Sequence, residues 1–318
     1  MKHIDVKFFP GWTRKAITFS IDDGKVEWDR KFLDIVRPHG ILGTFNLNDT
    51  NRASAEEYRA LYHGYEIANH CKHHPLIFRE DIEYKFSDEP FDKMESSVEY
   101  VYKTDVPHVY MMHYSLYLED KTKYPKPGGW HWITDKEHYI EFLDEMKADL
   151  EKVFGKDSVR GFAWPYGKQS CESVVAYLKK EYYHARKNGI TLDKTGFSLP
   201  PDRLGWQLNA RYSNLLEVAE LYEKYPDDGE LKLFSFGAHS IDYETGNHWG
   251  DLETFAKTYG DRPNDYYYAA VGDIFAYADA VRSVEITDTE IKNPTDTTLY
   301  LKIEGESMVL GPHETIAL

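Results

Sequence analysis

The sequence predicts an α/β fold in which a parallel sheet is wrapped or closed, followed by a small β appendage. Short apolar strands alternate with amphipathic helices between residues 15 and 281, which is typical of a parallel sheet covered by helices. Polar clusters follow several strands directly, where α/β proteins place their active sites. From residue 284 onward, short alternating strands are separated by Asn-Pro, Glu-Gly and Gly-Pro turns.

The composition limits the class of protein. Of the 318 residues, 42% are hydrophobic, which is enough for one large barrel with a small appendage. The net charge of −16 argues against nucleic-acid binding, which needs clustered Lys and Arg, and against anchoring on an anionic membrane. No apolar run is about 18 residues long, so no membrane span is expected. The sequence indicates no oligomeric state.

The N-terminal residues and the cysteines indicate the cellular compartment. The first ten residues hold no long apolar segment, so no signal peptide is visible and a cytoplasmic protein is expected. A secreted protein whose leader had been removed would look the same. Cys71 and Cys171 can form at most one bridge, and their spacing does not suggest a disulfide framework.

Apolar periodicity predicts the elements in chain order. Barrel strands are predicted over residues 15–21, 41–47, 66–68, 159–164, 231–236 and 266–270. Helices are predicted over residues 27–37, 53–62, 135–154, 172–186, 214–225, 252–259 and 273–281. Residues 78–134, rich in Tyr, Asp, Lys and Pro, are interpreted mostly as an insertion with a possible strand over 106–116.

The predicted domain boundary separates a barrel of residues 1–283 from a β appendage of residues 284–318. Strands of the appendage are predicted over residues 284–287, 298–303 and 307–310. A segment of about 35 residues is too small to be stable alone. Whether it binds sugar or only seals the barrel stays open.

Two adjacent carboxylates, Asp22 and Asp23, follow the first barrel strand and precede Gly24. Neighbouring side chains at a strand end point to different sides. One carboxylate is therefore able to bind a metal ion while the other faces the substrate as a base. An Asp-Gly pair is also typical of a simple turn, which is the alternative interpretation.

Three histidines lie within five residues after the strand over 66–68. His70 and His74 are four residues apart, so one helical turn would place both imidazoles on one face. With one carboxylate they form a set that leaves coordination positions open for water and substrate. His73 is a competing partner at a spacing of three, and a solvated loop is the plain alternative.

A third cluster, Phe162-Ala163-Trp164-Pro165-Tyr166-Gly167, ends the strand over 159–164. Proline and glycine around Tyr166 predict a tight turn that exposes backbone N–H groups, and such a group is able to donate to a developing oxyanion. Aromatic rings elsewhere are candidates for stacking on sugar rings, although they are also typical of a core: Trp130, Trp132 and Trp249.

Together these clusters resemble the motifs of polysaccharide deacetylases, the NodB-homology family or carbohydrate esterase family 4. The first motif resembles Thr18-Phe19-Ser20-Ile21-Asp22-Asp23-Gly24. The second resembles Gly64-Tyr65-Glu66-Ile67-Ala68-Asn69-His70 followed by His74-Pro75, and the third resembles the cluster over 162–167. The last motif is loosely similar to Phe236-Gly237-Ala238-His239. The resemblance covers residues 15–280 in the family's order.

The resemblance implies a distorted (β/α) barrel of the polysaccharide-deacetylase type with fewer than eight regular strands. The implied activity is metal-dependent removal of N-acetyl groups from an N-acetylated sugar or polysaccharide. Asp23, His70 and His74 would bind a divalent metal, usually zinc in this family. Asp22 would be the general base, and His239 would be the general acid.

The resemblance also points to substrate contacts and to departures from the family pattern. Substrate contacts are predicted for Trp164, Pro165 and Tyr166, with the backbone N–H of Tyr166 meeting the oxyanion. Ala163 stands where the family often carries an arginine that orients the base, and three arginines are candidates to replace it: Arg160, Arg203 and Arg211. Asp202, in a loosely matching fourth motif, is predicted to raise the basicity of His239. Gly237 stands where the family usually has leucine.

Two rival interpretations stay open. Some relatives hydrolyse cyclic amides or ureides without a metal, but that branch is expected to lack an intact Asp-His-His set, which this chain retains. The other rival is a catalytically weak or inactive carbohydrate-binding barrel. The missing arginine and the loose fourth motif leave this second rival open.

Overall fold

The structure is a computed structural model that describes residues 2–88, 99–113, 130–167, 171–190 and 197–318. Its helices are α1 Val26–Val36, α2 Ala55–Leu61, α3 Lys136–Phe154, α4 Glu172–Glu181, α5 Leu215–Lys224, α6 Ser240–Thr245, α7 Trp249–Tyr259 and α8 Val271–Arg282. Among the described residues, no helix is long and apolar enough to cross a membrane.

The strands fall into a parallel barrel, an inserted sheet and a terminal β unit. The barrel strands are β2 Lys15–Asp22, β3 Gly43–Leu47, β4 Glu66–Asn69, β10 Gly161–Ala163, β11 His184–Ile190, β12 Trp206–Leu208, β13 Ala210–Arg211, β14 Lys232–His239 and β15 Tyr267–Tyr268. The inserted sheet holds β5 Leu76–Ile77, β6 Tyr84–Ser87, β7 Glu99–Lys103, β8 Tyr110–His113 and β9 Trp130–Thr134. The terminal unit holds β1 Ile4–Phe8, β16 Glu285–Ile286, β17 Glu290–Lys292, β18 Leu299–Ile303, β19 Glu306–Leu310 and β20 Thr315–Ala317.

The parallel strands form a nearly closed barrel. Their hydrogen-bonded order is β12-β11-β10-β4-β3-β2-β14-β13, with β15 added beside β2. The strands β12 and β13 stand at opposite ends of that order, yet only Asn209 separates them in sequence. This short segment therefore joins the two ends of the sheet. The predicted distorted (β/α) barrel is confirmed.

Aromatic packing joins the barrel strands to helix α1. Phe19 on β2 is fully buried and contacts the rings of Phe32 on α1 and Phe45 on β3. Gly43 makes this packing possible, because a Cβ atom at that position would lie 2.5 Å from the Phe19 ring. The apolar face of α1 and the two strands thus lock together at the N-terminal half of the barrel.

The insertion folds as a five-stranded sheet in the order β5-β9-β8-β7-β6. Its own small core contains Leu76, Val101, Met112 and Ile133, all buried. The strand predicted over 106–116 is observed as β8, and residues 114–116 lie outside the described part of the chain. The inserted sheet follows the histidine cluster directly, which places it beside the carboxyl ends of the barrel strands.

The C-terminal strands form two three-stranded sheets, in the orders β1-β18-β19 and β16-β17-β20. The N-terminal strand β1, which the sequence analysis assigned to the barrel, pairs antiparallel with β18. One buried cluster contains Ala16 and Leu233 from the barrel together with Ile291 and Leu301 from these sheets. The terminal strands therefore share a core with the barrel, and the boundary at 283/284 stays a prediction.

One predicted element is wrong at its C-terminal end. The helix predicted over 172–186 ends at Glu181, and the backbone of Tyr182 is already extended. The following residues form β11, which pairs in parallel with β10. Aromatic residues such as Tyr182 and Tyr183 fit a half-buried strand better than a helix, and pairing with β10 satisfies the backbone groups of β11.

Candidate metal and active site

The two adjacent aspartates lie at the carboxyl end of β2, where the barrel opens. Asp22 is the last residue of β2, in register with Asn46 on β3 and His239 on β14. Asp23 follows in a left-handed conformation with φ 76°, which is uncommon for a residue with a side chain. This turn separates the two carboxylates, so that Asp22 and Asp23 face different partners.

Asp23, His70 and His74 converge on one point. Oδ1 of Asp23 lies 3.7 Å from Nε2 of His70 and 3.7 Å from Nε2 of His74, and the two Nε2 atoms are 3.1 Å apart. Among the described residues they are the one group of at least three such side chains whose ligand atoms lie within 4.8 Å of one another. Ligand atoms each about 2.0–2.2 Å from a tetrahedral zinc ion would lie roughly 3.3–3.6 Å apart. The donor set and its spacing therefore fit a divalent cation such as zinc.

The two histidines reach this point from a tight turn, so the predicted helical turn is wrong. Cys71, His73 and His74 all have positive φ values, of 58°, 63° and 52°. The left-handed residues fold the chain back over four residues and bring the ring of His74 to 4.7 Å from that of His70. His73, the competing partner, points away and packs edge-on against Phe142. Such backbone strain is characteristic of functional sites.

The tautomer of His70 suits a ligand. Its Nδ1 lies 2.8 Å from the carbonyl oxygen of Ala163, and because a carbonyl only accepts, Nδ1 carries the proton. The lone pair is then on Nε2, which faces Asp23. Burial is the largest cause that lowers the pKa of His74, to about 3, so this ring is neutral near pH 7.

Asp22 is held by an arginine that the sequence analysis missed. Its Oδ1 accepts hydrogen bonds from the Arg186 guanidinium and, at 2.8 Å, from Asn46. Burial alone would raise the pKa of Asp22, but the charges of Arg186, His70 and His239 outweigh burial and hold that pKa well below its ordinary value. The site therefore keeps this carboxylate ionised.

Two of the three candidate arginines, Arg160 and Arg203, are engaged elsewhere. Arg160 pairs with Glu66 and Asp273, and Arg203 pairs with Asp279. The backbone N–H of Arg211 donates to Asn214 in the turn before α5. Arg186 could have been predicted from a parallel strand adjacent to the third motif. The helix predicted over 172–186 obscured that strand.

His239 is oriented by Asp242 rather than by Asp202. The ring Nδ1 and the backbone N–H of His239 both donate to Oδ2 of Asp242, at 2.9 and 3.0 Å. Burial alone would lower the pKa of His239, but the hydrogen bond to Asp242 and the charges of Asp22 and Asp23 raise it to about 9. The Nε2 atom, 3.9 Å from Oδ2 of Asp23, faces the metal ligands.

The structure does not bring Asp202 to this histidine. Asp202 is exposed in the connection between β11 and β12, where its Oδ1 accepts the backbone N–H of Leu204. The bond to Leu204 holds the Asp202 carboxylate within its own loop. The sequence signal for Asp242 was its position three residues after His239, the spacing of a helix N-terminal capping pair.

The third motif contributes Tyr166, while its neighbours are buried. Tyr166 has a left-handed backbone with φ 54°, and its ring packs edge-on against His74 with centroids 4.5 Å apart. Trp164 is 2% exposed and packs against Phe162, and Pro165 is also buried. The side chains of Trp164 and Pro165 therefore belong to the core, and the predicted substrate contacts of these two residues stay a prediction.

A cavity of about 460 Å³ opens onto the candidate metal ligands. Asp23 and His74 line it together with Tyr166, and the inserted sheet contributes Trp132. A larger cavity of about 1270 Å³ lies on the other face of β9, where Ile133 lines it, and it contains none of the metal-ligand, base or acid candidates. The smaller cavity is therefore the one that adjoins the chemistry.

The sequence profile of the polysaccharide deacetylase family matches residues 12–185, which is more than half of the chain. The chain belongs to the polysaccharide deacetylase family. The matched segment contains the three candidate metal ligands, Asp22 and the third motif. Among curated proteins, none matches the sequence at a significant level.

Solved structures of family 4 carbohydrate esterases are similar to this deacetylase family member at low identity. An esterase from Streptococcus mutans is 12% identical, with a TM-score of 0.47, and covers 81% of this chain and 86% of that one. One from Bacillus anthracis is 14% identical, with a TM-score of 0.43 and coverage of 85% and 88%. A chitin deacetylase from the fungal pathogen Colletotrichum lindemuthianum is 11% identical, with a TM-score of 0.40 and coverage of 81% and 86%.

In this member of the polysaccharide deacetylase family, an arginine contacts Asp22 from an unexpected strand. The profile match ends at residue 185, one residue before Arg186. Ala163 on β10 and Arg186 on β11 are register partners, so their side chains stand at the same level of the barrel. The guanidinium that relatives often carry at the position of Ala163 is thus present one strand further along.

Proposed function

We propose that this chain is a metal-dependent amide hydrolase that removes N-acetyl groups from an N-acetylated sugar or polysaccharide. One observation carries the proposal: Asp23, His70 and His74 converge on a common point, with the Asp22 carboxylate and the His239 imidazole beside it. Family membership supports deacetylation as the reaction. Zinc as the metal, which its donor set suits, an N-acetylated sugar as the substrate and the cytoplasm as the location are parts of the proposal.

The chain's own groups divide the work of amide hydrolysis. When bound to Asp23, His70 and His74, a divalent cation would polarise the amide carbonyl and acidify the attacking water. Asp22 accepts the proton that the water loses, and its ionised state at neutral pH suits a base. Arg186 and Asn46 hold the Asp22 carboxylate in place through hydrogen bonds to one of its oxygens.

Proton delivery to the leaving amine falls to His239. Asp242 occupies Nδ1, so Nε2 is the atom that gives the proton. The raised pKa of His239, about 9, keeps the ring protonated near neutral pH. We assign the backbone N–H of Tyr166 to the developing oxyanion, because its ring packs on His74 at the edge of the same cavity.

The two rival functions have less support. A metal-free hydrolase of cyclic amides gives no reason for two Nε2 atoms and a carboxylate to converge. The missing arginine and the loose fourth motif left an inactive carbohydrate-binding barrel open. Arg186 and Asp242 count against that rival. Arg186 contacts Asp22 and Asp242 contacts His239, which are the residues that the family's arginine and aspartate are expected to contact.

Acetate release tests the proposal. The zinc-loaded protein is expected to release acetate from chito-oligosaccharides, and Asp22→Asn is expected to bind zinc but lose turnover. Asp34→Asn, which changes an aspartate of α1 outside the site, serves as the control and should leave the rate unchanged. Absence of acetate from every N-acetylated glycan tested with the zinc-loaded wild type would contradict the proposal, and full activity in Asp22→Asn would remove the base.

A further inference from the structure

We propose that Asp29 is a positioning residue for His239, the proposed general acid, because its buried carboxylate holds the residue that follows this histidine. The proposal rests on the proposed function and adds to it a residue from outside the motifs. Asp29 lies in the first turn of α1 and is fully buried. A carboxylate in such a place needs a reason, since burial of a charged group costs free energy unless partners compensate for it.

Two hydroxyl groups hold the Asp29 carboxylate, one on each oxygen. Tyr62, at the C-terminal end of α2, donates to Oδ2 at 2.6 Å, and Ser240, the first residue of α6, donates to Oδ1 at 2.5 Å. All three residues are at most 2% exposed. Burial is the largest cause that raises the pKa of Asp29, to about 6, although both hydrogen bonds lower it. The carboxylate is thus a buried acceptor that joins α1, the end of α2 and the start of α6.

The hydrogen bond from Ser240 fixes the N-terminus of α6, on which the orientation of His239 depends. Asp242, two residues further along α6, accepts from both Nδ1 and the backbone N–H of His239. Helix α6 has only six residues, whereas isolated helices shorter than about 12–15 residues are marginal in water. Its position must therefore come from tertiary contacts, and Asp29 makes one of them at the residue next to His239.

Two further contacts between α1 and α6 are less suited to this role. The ring of Tyr243 packs against Phe32 with centroids 5.6 Å apart, and within the described part of the chain the buried Tyr243 hydroxyl has no hydrogen-bond partner. Lys31 and Glu244 form an ion pair in which both side chains are exposed, and such pairs hold their partners weakly. A hydrogen bond to a buried carboxylate is stronger and more directional, so Asp29 is the group that determines where α6 begins.

Kinetics of substituted proteins test the proposal, with zinc bound and chitotetraose as the substrate. Ser240→Ala and Asp29→Ala are each expected to lower kcat about tenfold with KM unchanged, because a displaced general acid loses part of the roughly 10²–10⁴-fold that it contributes. The double variant should lose no more than the larger single loss, since both changes remove the same contact. Asp29→Asn should restore most of the rate, because its amide is still able to pair with both hydroxyl groups.

Tyr62→Phe is the matched control. It removes the other hydroxyl group from the same carboxylate but leaves the contact with α6 in place. This variant should therefore lower the free energy of unfolding without changing kcat. If Asp29→Ala does not fold, Ser240→Ala decides, because it removes a single oxygen atom.

The outcomes separate this proposal from the proposed function. A wild-type kcat in Ser240→Ala, or a loss in Tyr62→Phe as large as that in Ser240→Ala, would overturn the positioning role while leaving the deacetylase function intact. If the wild type releases no acetate at all, amide hydrogen exchange decides. Faster exchange of the α6 amides in Ser240→Ala than in Tyr62→Phe supports Asp29 as the residue that holds this helix and His239 in place, and equal exchange in both variants overturns it.

Discussion

At the scale of single residues, Asp22 and His239 share one design, in which each is held by a neighbour of opposite charge. Arg186 and Asn46 contact one oxygen of Asp22, and Asp242 accepts from Nδ1 of His239. These partners lower the pKa of the carboxyl group and raise that of the imidazole. An ionised carboxylate and a protonated imidazole therefore coexist over a wide range of pH, as the proposed base and acid require.

Removal of the Arg186 guanidinium is expected to weaken the base. In Arg186→Ala the pKa of Asp22 rises because a cation is lost, so the acid limb of the kcat/KM profile moves to higher pH and the rate falls at least about tenfold. Arg186→Lys should recover part of the rate. Arg203→Ala, which breaks an ion pair with Asp279 at the surface, is the control and should change neither the acid limb nor the rate. An unchanged acid limb in Arg186→Ala would show that Arg186 does not act on the base.

Substitution of Asp242 is expected to move the opposite limb. In Asp242→Asn a hydrogen-bonded negative charge is lost, so the pKa of His239 falls from about 9 and its proton is lost at lower pH. The alkaline limb of the rate profile should therefore move towards neutrality. Asp202→Asn should leave this limb in place, because Asp202 is exposed and bonded to its own loop. A shift of the alkaline limb in Asp202→Asn but not in Asp242→Asn would show that Asp202, and not Asp242, acts on His239.

At the scale of elements, sequence patterns located the strand ends that carry the chemistry but not the contacts across strands. Asp23, His70 and His74 were identified from motifs within single segments. Arg186 was hidden because its strand was read as the end of a helix, and its partner Asp22 lies 164 residues away. Contacts of that separation depend on sheet order and register, which a local pattern does not contain.

The left-handed turn after His70 is another feature that the local sequence pattern did not predict. The spacing of His70 and His74 correctly suggested neighbouring imidazoles, but a helical turn was the wrong reason. Cys71 is fully buried, and its backbone N–H is held by the side chain of Asn69. Side-chain hydrogen bonds of this kind compensate for backbone strain, and no periodicity in the sequence reports them.

A buried pair, Glu66 and His184, joins the barrel strands at their opposite end. Glu66 at the start of β4 accepts from Nε2 of His184 on β11 at 3.1 Å and from Thr44 on β3 at 2.8 Å. Burial alone would raise the pKa of Glu66, but His184, Thr44 and Arg160 lower it from 4.5 to about 2. The lowered pKa of Glu66 therefore contributes its full stabilisation above about pH 4.5, and this contribution is lost as pH falls towards 2.

Glu66→Gln tests the contribution of this pair to stability. The substitution is expected to lower the free energy of unfolding at pH 7 by about 3 kcal/mol, since it leaves a buried partner unpaired. The loss should shrink as pH falls from 4.5 towards 2, which urea unfolding at several pH values would measure. Asp273→Asn removes the exposed partner of Arg160 and should cost less than about 1 kcal/mol. A loss that is independent of pH in this range would contradict an ionised Glu66.

At the scale of the whole molecule, the terminal strands and the barrel bury one common cluster. Leu301 on β18 is fully buried in it with Leu233 of the barrel. Leu301→Ala is therefore expected to destabilise the whole chain by about 2–5 kcal/mol in one cooperative transition. Val309→Ala, at a position 43% exposed on β19, should change stability little. Two separate unfolding transitions, with only one affected, would show that the terminal unit is independent.

The fold class followed from the sequence because strand–helix alternation is a local property, whereas closure of the barrel is not. The segment around Asn209 joins both ends of the sheet, yet β12 and β13 are three and two residues long and carry no clear period. The pairing of β1 with β18 likewise joins residues almost 300 positions apart in the sequence, roughly the full chain length. Such closing contacts emerge only from the assembled molecule.

Zinc titration of the metal-free protein, followed by calorimetry, tests the central claim most directly. We predict one zinc ion per chain for the wild type, and loss of this binding in Asp23→Ala and in His74→Ala, because each change removes one of three converging ligands. His73→Ala is the control. It removes the neighbouring histidine, whose ring packs on Phe142, and the variant should still bind one ion. Absence of zinc binding by the wild type, or unchanged binding in both ligand variants, would contradict the account.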